Sequence, residues 1–298
     1  MTTQDHTDNS KTPAERFAYF IKERHSIYLR RQQKQPAPWT DDPILAQYRF
    51  CNIYRQLDRV TIWLNGNWYP AIDPKHMVFM ACVARVFNHP DPLTVLRPVL
   101  RGGLSWSPDA VKHVLKKHQN HGGIVRGNAY IVSTNGRSVP FVDYIVDEVL
   151  SPIREALRIP RKNILLLSDF AEWLQQFQGM GSFMAGQVIA DLKHATSKFD
   201  QHAVRDWWTF VVPGPGSKRG LNRLLGRPHN QAMSDKIFHD QFRVANFITD
   251  TVTGDNDWEA MCAQDVQNCL CEFDKYERAR LGQGRPKQNY VHQNKELF

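Results

Sequence analysis

Apolar positions along this chain recur with a helical period. Phe50, Ile53, Leu57 and Val60 follow one another at steps of three, four and three, which places them on one helix face. The longest apolar run, Met77 to Phe87, is interrupted only by Arg85. The pattern predicts helices over about 13–35, 43–64, 74–88, 108–119, 142–157, 169–178, 182–195, 203–211, 235–252 and 257–279. Helix starts share one chemistry. Asp42-Pro43, Asp73-Pro74, Ser107-Pro108 and Ser151-Pro152 each set a capping side chain before a proline, and Asp169 with Glu172 has capping-box spacing. Ala129 to Thr134 is rich in β-formers and is followed by Asn135-Gly136, a hairpin signal that Pro140 weakens on the return side. The expected fold is all-α with a small β-hairpin insertion. Residues 1–12 read as a polar tail, and 13–298 as one helical domain of two lobes, about 13–160 and 161–298, with Pro/Gly-rich joints at 89–108 and 213–229.

Composition narrows the function. Apolar residues at 42% and charged residues at 23% exclude a disordered chain. Lys and Arg outnumber Asp and Glu by 38 to 30, giving a net charge of +8 and a pI near 9.3. That surplus favours a polyanionic partner, nucleic acid first, against the alternative of a merely basic protein. The longest apolar run is too short for a bilayer, so no membrane partner is expected. The polar start MTTQDHTDNSKT is unlike a secretory leader, and five Cys lack framework spacing, which fits a reducing cytoplasm. No GxxxxGK[ST] and no GxGxxG after a strand occurs. Cys269 and Cys271 are two apart, and His113, His118 and His121 have no metal-site spacing, so no metal ligands are expected.

Several segments carry candidate chemistry. The basic run with Lys22, Arg24, His25, Arg30, Arg31 and Lys34 reads equally as a phosphate-facing arm or a solvated helix face. Gly179-Met180-Gly181 between two helices has the pattern of a helix–hairpin–helix turn, whose free N–H groups hold a DNA phosphate; a tight αα turn is the alternative. Gly214, Gly216, Ser217, Lys218, Arg219, Asn222 and Arg223 form a Gly/Pro-rich loop expected to open a helix after Gly220, with backbone donors and three cations suited to phosphate or pyrophosphate. Asp206 and Asp191 are candidate bases or orienters, Asp191 one turn after Gln187. For either acid alone, a solvated or capping role is the stronger alternative. Asn52, Arg55, Asp58 and Arg59 lie off the apolar stripe and could line a cleft or form a surface ion-pair row. Arg85, with Asn88 near it, sits in an apolar run and needs an acid or a ligand. Lys275 and Arg278 belong to an ion-pair ladder with Glu272 or to a cationic wall.

Together these segments resemble a family. RFCNIYRQLDRVTIWL at 49–64 is similar to the FCNxxRxxDRVTxW signature of the amino acid:DNA transferases, the α-glutamyl/putrescinyl thymine pyrophosphorylases of bacteriophage base hypermodification. ARVFN at 84–88, AYIVSTNG at 129–136, GMGSFMAGQVIADL at 179–192, PGPGSKRGLNR at 213–223 and LCEFDKYER at 270–278 follow in the same order, over about 49–290. Tyr54 before Arg55 is a small departure. The resemblance implies a DNA-glycosylase-like helix–hairpin–helix catalytic domain acting in host cytoplasm if phage-encoded. It implies a transferase in which an amino acid or putrescine displaces pyrophosphate from 5-pyrophosphoryloxymethyl-deoxyuridine in DNA, after a separate hydroxymethyluracil DNA kinase has acted. No cofactor is expected, with Mg²⁺ left open. On that chemistry the 214–223 loop takes the pyrophosphate, Asp206 or Asp191 is base or amine orienter, and Asn52, Arg55 and Arg59 bind base or carboxylate. The competing expectations are a DNA glycosylase or lyase, a non-catalytic DNA-binding module, and a helical subunit assisting the kinase.

Overall fold

Capped helices carry the chain. The structure, a computed structural model, describes residues 10–127, 132–134, 136–158, 165–194, 202–286 and 289. Its helices are α1 (Pro13–Gln32), α2 (Pro43–Gln47), α3 (Arg59–Trp63), α4 (Met77–Phe87), α5 (Pro90–Leu100), α6 (Pro108–Asn120), α7 (Phe141–Asp143), α8 (Ser151–Ala156), α9 (Leu167–Leu174), α10 (Ser182–His194), α11 (Pro215–Leu224), α12 (Asp235–Asp255) and α13 (Ala263–Arg280). A π-helical turn, Tyr144–Leu150, joins α7 to α8. No strand occurs among the described residues, so the all-α expectation holds. The expected hairpin falls largely on 128–131 and 135, outside the described residues. No helix is long and apolar enough to cross a membrane among the described residues.

The chain divides into two compact units, Met1–Tyr54 with Pro213–Phe298, and Arg55–Val212. In the first, α1 is headed by a capping box between Thr12 and Glu15, and α2 by Asp42, which accepts from the Ile44 and Leu45 N–H groups at 2.9 Å. Phe17, Phe20, Phe50, Phe273 and Tyr276 build an aromatic core. Helix α11 lies close along α13 because Gly220 has no side chain. A Cβ there would stand 2.0 Å from the Leu270 carbonyl oxygen. In the second unit, α4 is buried almost throughout and packs on α10. Its apolar residues join Leu93, Leu115, Ile145, Leu174 and Ile189 in one core.

Several predicted elements differ from those observed, α13 among them, which begins at Ala263 and not near 257. The helix expected over 43–64 ends at Gln47 and resumes only as a short turn at Arg55–Leu57 and then α3. Tertiary bonds replace helical ones in between. Arg24 donates to the Phe50 and Cys51 carbonyls, and Cys51 N–H donates to Glu272. Helix α5 occupies a segment expected as a joint. Pro90 and Pro92 sit in its first turn, where no helical N–H bond is lost. No helix forms at 203–211. Finally, α11 starts at Pro215, five residues ahead of the expected start. Ser151, expected as a cap, lies inside a continuous helical run and donates to the Val146 carbonyl at 2.7 Å.

Candidate functional site

In the second unit, α4 and α10 bring together most of the polar residues singled out from the sequence. Asp191 is fully buried on α10. Arg85 of α4 donates to both of its carboxylate oxygens through Nε and Nη2, and is itself 1% exposed. The Tyr69 hydroxyl donates to the same carboxylate at 3.1 Å, and an Arg55 terminal nitrogen stands 3.8 Å away. Burial, and then the Asp191 charge, hold the Tyr69 phenol far above its ordinary pKa, so it remains a donor. Arg85 also donates to Asn88 Oδ1 at 2.8 Å. Asn88 ends α4 in the left-handed conformation. Its carbonyl would lie 2.4 Å from a Cβ at position 127, which only Gly127 avoids. Asp58 pairs with Arg55 at 3.5 Å. Arg59 is exposed; burial lowers the pKa of His89, opposed by the Asp91 charge and aided by that of Arg59. Gln187 lies one turn before Asp191, and its Oε1 is buried without a hydrogen-bond partner among the described residues.

The structure thus brings together residues that the sequence offered as three separate candidates, Arg55 with Asp58, Arg85 with Asn88, and Asp191, and adds Tyr69, which the sequence did not single out. A hydroxyl 122 positions from Asp191 has no local signal. Asn52 belongs to the first unit, where Arg24 donates to its Oδ1 at 2.7 Å, so the helix face expected to join it to Arg59 does not form.

Asp206 has a structural partner. Its two oxygens accept the Leu167 N–H at 2.7 Å and the Ser168 N–H at 3.0 Å, which caps α9 from a distant turn. The following residues divide: Trp207 is buried and Trp208 is exposed. Between α9 and α10 the chain turns through Gly179, whose φ is +76°, and Gly181, around which a Cβ would meet nothing.

The first unit holds the remaining candidates, on α11 and α13. Gly214 and Ser217 bond each other through the Gly214 N–H and the Ser217 Oγ at 2.9 Å, and Gly216 packs on Cys271. The expected phosphate loop is thus a helix packed against another. Arg219 and Arg223 both donate Nε to Asp274 at 2.8 Å, and Arg278 stands 3.6 Å from it. Lys218 pairs with Asp235 at 2.6 Å. Asn222 donates to the Gln231 carbonyl at 2.9 Å and fixes the turn after α11. Lys275 pairs with Glu272 and donates to the Arg49 carbonyl at 3.2 Å. Asp274, buried and central, was not singled out from the sequence, although its spacing of four from Arg278 was legible.

Comparisons with known proteins bear on this arrangement. A family model described as "5-hmdU DNA kinase, helical domain" matches residues 12–285. The 5-hmdU DNA kinase of Bacillus phage SP10 is 24% identical over 261 residues, which cover 80% of this chain and 39% of that protein. The chain thus spans about two-fifths of the length of that relative. No solved structure matches. These findings correct the transferase expectation. The matching family and relative are kinases by name, so the implied displacement of pyrophosphate by an amine, and with it the classification of the chain as an amino acid:DNA transferase, is withdrawn. A phage hydroxymethyluracil DNA-modification context remains.

Proposed function

Because this chain belongs to the family of 5-hmdU DNA kinase helical domains, we propose that it engages DNA carrying 5-hydroxymethyl-deoxyuridine and presents the modified base to a kinase catalytic domain. The observation that carries the reading is the family match across 12–285, which takes in both units. The net charge of +8 supports a polyanionic partner. The chain also lacks a GxxxxGK[ST] nucleotide loop, which fits a helical domain that acts alongside the phosphoryl-transfer machinery. On this reading Mg²⁺ enters with the nucleotide on the kinase domain, and no cofactor is assigned to the helical domain.

The test uses the 298-residue chain, labelled ATP and hydroxymethyluracil DNA. The chain alone should bind that DNA and transfer no label. Added to the kinase portion of a 5-hmdU DNA kinase, it should raise transfer to the DNA. Absence of both DNA binding and stimulation would refute the proposal. Label transfer by the chain alone would move the phosphoryl-transfer site into this chain.

A further inference from the structure

The geometry points to a second use of the α11–α13 pair, and we propose that Arg219 and Arg278 form a binding site for phosphate oxygens, held in shape by Asp274. The inference rests on the reading of this chain as a DNA-engaging domain and names where a backbone phosphate would be gripped.

Three guanidiniums surround one carboxylate. Asp274 is 1% exposed and accepts from Arg219 Nε and Arg223 Nε, each at 2.8 Å, while Arg278 Nε is 3.6 Å away. Arg223 is buried and its Nη2 donates to Gln283 Oε1 at 2.8 Å, so it belongs to the interior. Arg219 and Arg278 differ from it. Their side chains are 39% and 37% exposed; Arg219 donates Nε to Asp274, whereas Arg278 Nε stands 3.6 Å from that carboxylate without a hydrogen bond. Their terminal nitrogens, the forked end that matches a carboxylate or phosphate in two-point fashion, bond no group among the described residues.

Charge points the same way. Three cations share one anion, leaving two positive charges uncompensated within a few ångströms. The neighbouring acids of α13 are engaged elsewhere. Glu272 pairs with Lys275, and Glu277 with Arg16 and Arg280. A protein that needed only to neutralise Asp274 would need one arginine. The Nε bond to a buried carboxylate fixes the plane of the Arg219 guanidinium, so little rotamer freedom is lost there when a phosphate binds, and Arg278 adds its charge beside it. Gly220 lets α11 approach α13 closely enough for Arg219 to reach the carboxylate that Arg278 flanks from its own helix.

Phosphate oxygens reach such a site from a DNA backbone or from a free phosphate compound, and the test separates them. Fluorescence anisotropy would follow a labelled hydroxymethyluracil duplex across a salt series, with inorganic pyrophosphate titrated in parallel. The variants are Arg219→Gln/Arg278→Gln and Arg219→Lys/Arg278→Lys. Arg158→Gln removes an exposed charge in the other unit as a control. The retained Arg223–Asp274 pair should keep the glutamine variant folded, which circular dichroism checks. For a DNA backbone site, affinity falls roughly tenfold or more in the glutamine variant, and the salt slope shrinks by about 1 to 2. The lysine variant recovers only part, because the charge returns without the fork. Loss of pyrophosphate binding with unchanged DNA binding supports the site for a free phosphate compound. Equal behaviour of wild type and both variants toward both ligands overturns it, as does full recovery by lysine or an equal loss in Arg158→Gln. DNA binding by wild type that the variants leave intact would sink this inference alone if pyrophosphate binding were also intact. Pyrophosphate bound through these arginines with no DNA binding by wild type would sink the proposed function and keep the site.

Discussion

Substituting Asp191 with asparagine should unfold the second unit more readily than any surface change. The substitution is nearly isosteric and removes the charge facing Arg85. Both groups lack contact with solvent, with side chains 0% and 1% exposed. Arg85 would keep its bond to Asn88 and one bond to the amide oxygen, but lose the other bond and the counter-charge, and the new amide N–H₂ would face a guanidinium donor. Breaking a buried ion pair from one side costs about 3–5 kcal/mol, because the surviving charge has neither water nor partner. In a domain of this size class each kcal/mol lowers Tm by about 2–4 °C, so the fall should be roughly 6–20 °C. The assay is urea unfolding followed by tryptophan fluorescence, with a lower midpoint at unchanged slope. The double replacement Arg85→Met/Asp191→Leu should be far less damaging than either half alone, because it removes both charges together. A loss below about 1 kcal/mol for Asp191→Asn, or additive single effects in the double variant, would refute the account of this cluster as a desolvated, mutually dependent pair.

Other outcomes follow from single contacts. Burial, and then the Arg24 charge, push the His25 imidazole down to about 4 from an ordinary 6.5. Its stabilising contribution is therefore complete above pH 6.5 and lost as pH falls through about 4, and His25→Phe should flatten that acid limb in a pH series of urea midpoints. Gly220→Ala should destabilise the first unit by about 1–3 kcal/mol, because a Cβ 2.0 Å from Leu270 oxygen outweighs the helical gain, whereas Gly254→Ala, with nothing near its Cβ, should be neutral or stabilising. Asp206→Ala should cost about 0.5–2 kcal/mol in thermal unfolding through the lost α9 cap. Burial pushes the Cys82 thiol up to about 12, so in the native state it should react with thiol reagents far more slowly than half-buried Cys51, measured by peptide mass mapping.

Local signals carried most helices and few of the partners. Apolar periodicity placed α1, α6, α10 and α12 to within a few residues, and Ser107, singled out as a cap, heads α6 through its side chain. Where a distant group decides the backbone, periodicity misled. The stripe from Phe50 to Val60 has helical spacing, yet Arg24 and Glu272 bind the backbone at 50–51 and hold it out of a helix. Prolines disguised α5: Pro90 and Pro92 are tolerable because they fall in its first turn, while Pro98 lies inside the helix. Arg85 inside an apolar run did demand a partner, and Asp191 supplies it. That Asp274 would gather Arg219 and Arg223 as well as Arg278, four residues along its own helix, depends on how closely α11 and α13 approach, which Gly220 permits and no spacing within one helix reveals.

Each unit thus has a buried carboxylate approached by guanidiniums, Asp191 in one and Asp274 in the other, and these two differ in a way that separates structure from recognition. Asp191 holds both bonding edges of Arg85 inward, through Nε and Nη2, and that arginine has no exposed nitrogen with which to meet a ligand. Losing Asp191 should therefore register as lost stability. Asp274 bonds Arg219 by Nε alone and lies 3.6 Å from Arg278 Nε, and both of these side chains are more than a third exposed. Removing those two arginines should leave the buried Arg223–Asp274 bond standing and register chiefly as lost anion affinity. A large change in unfolding midpoint for Arg219→Gln/Arg278→Gln without a change in salt-dependent binding would reverse that assignment, making the α13 cluster a structural clamp like the one on α10.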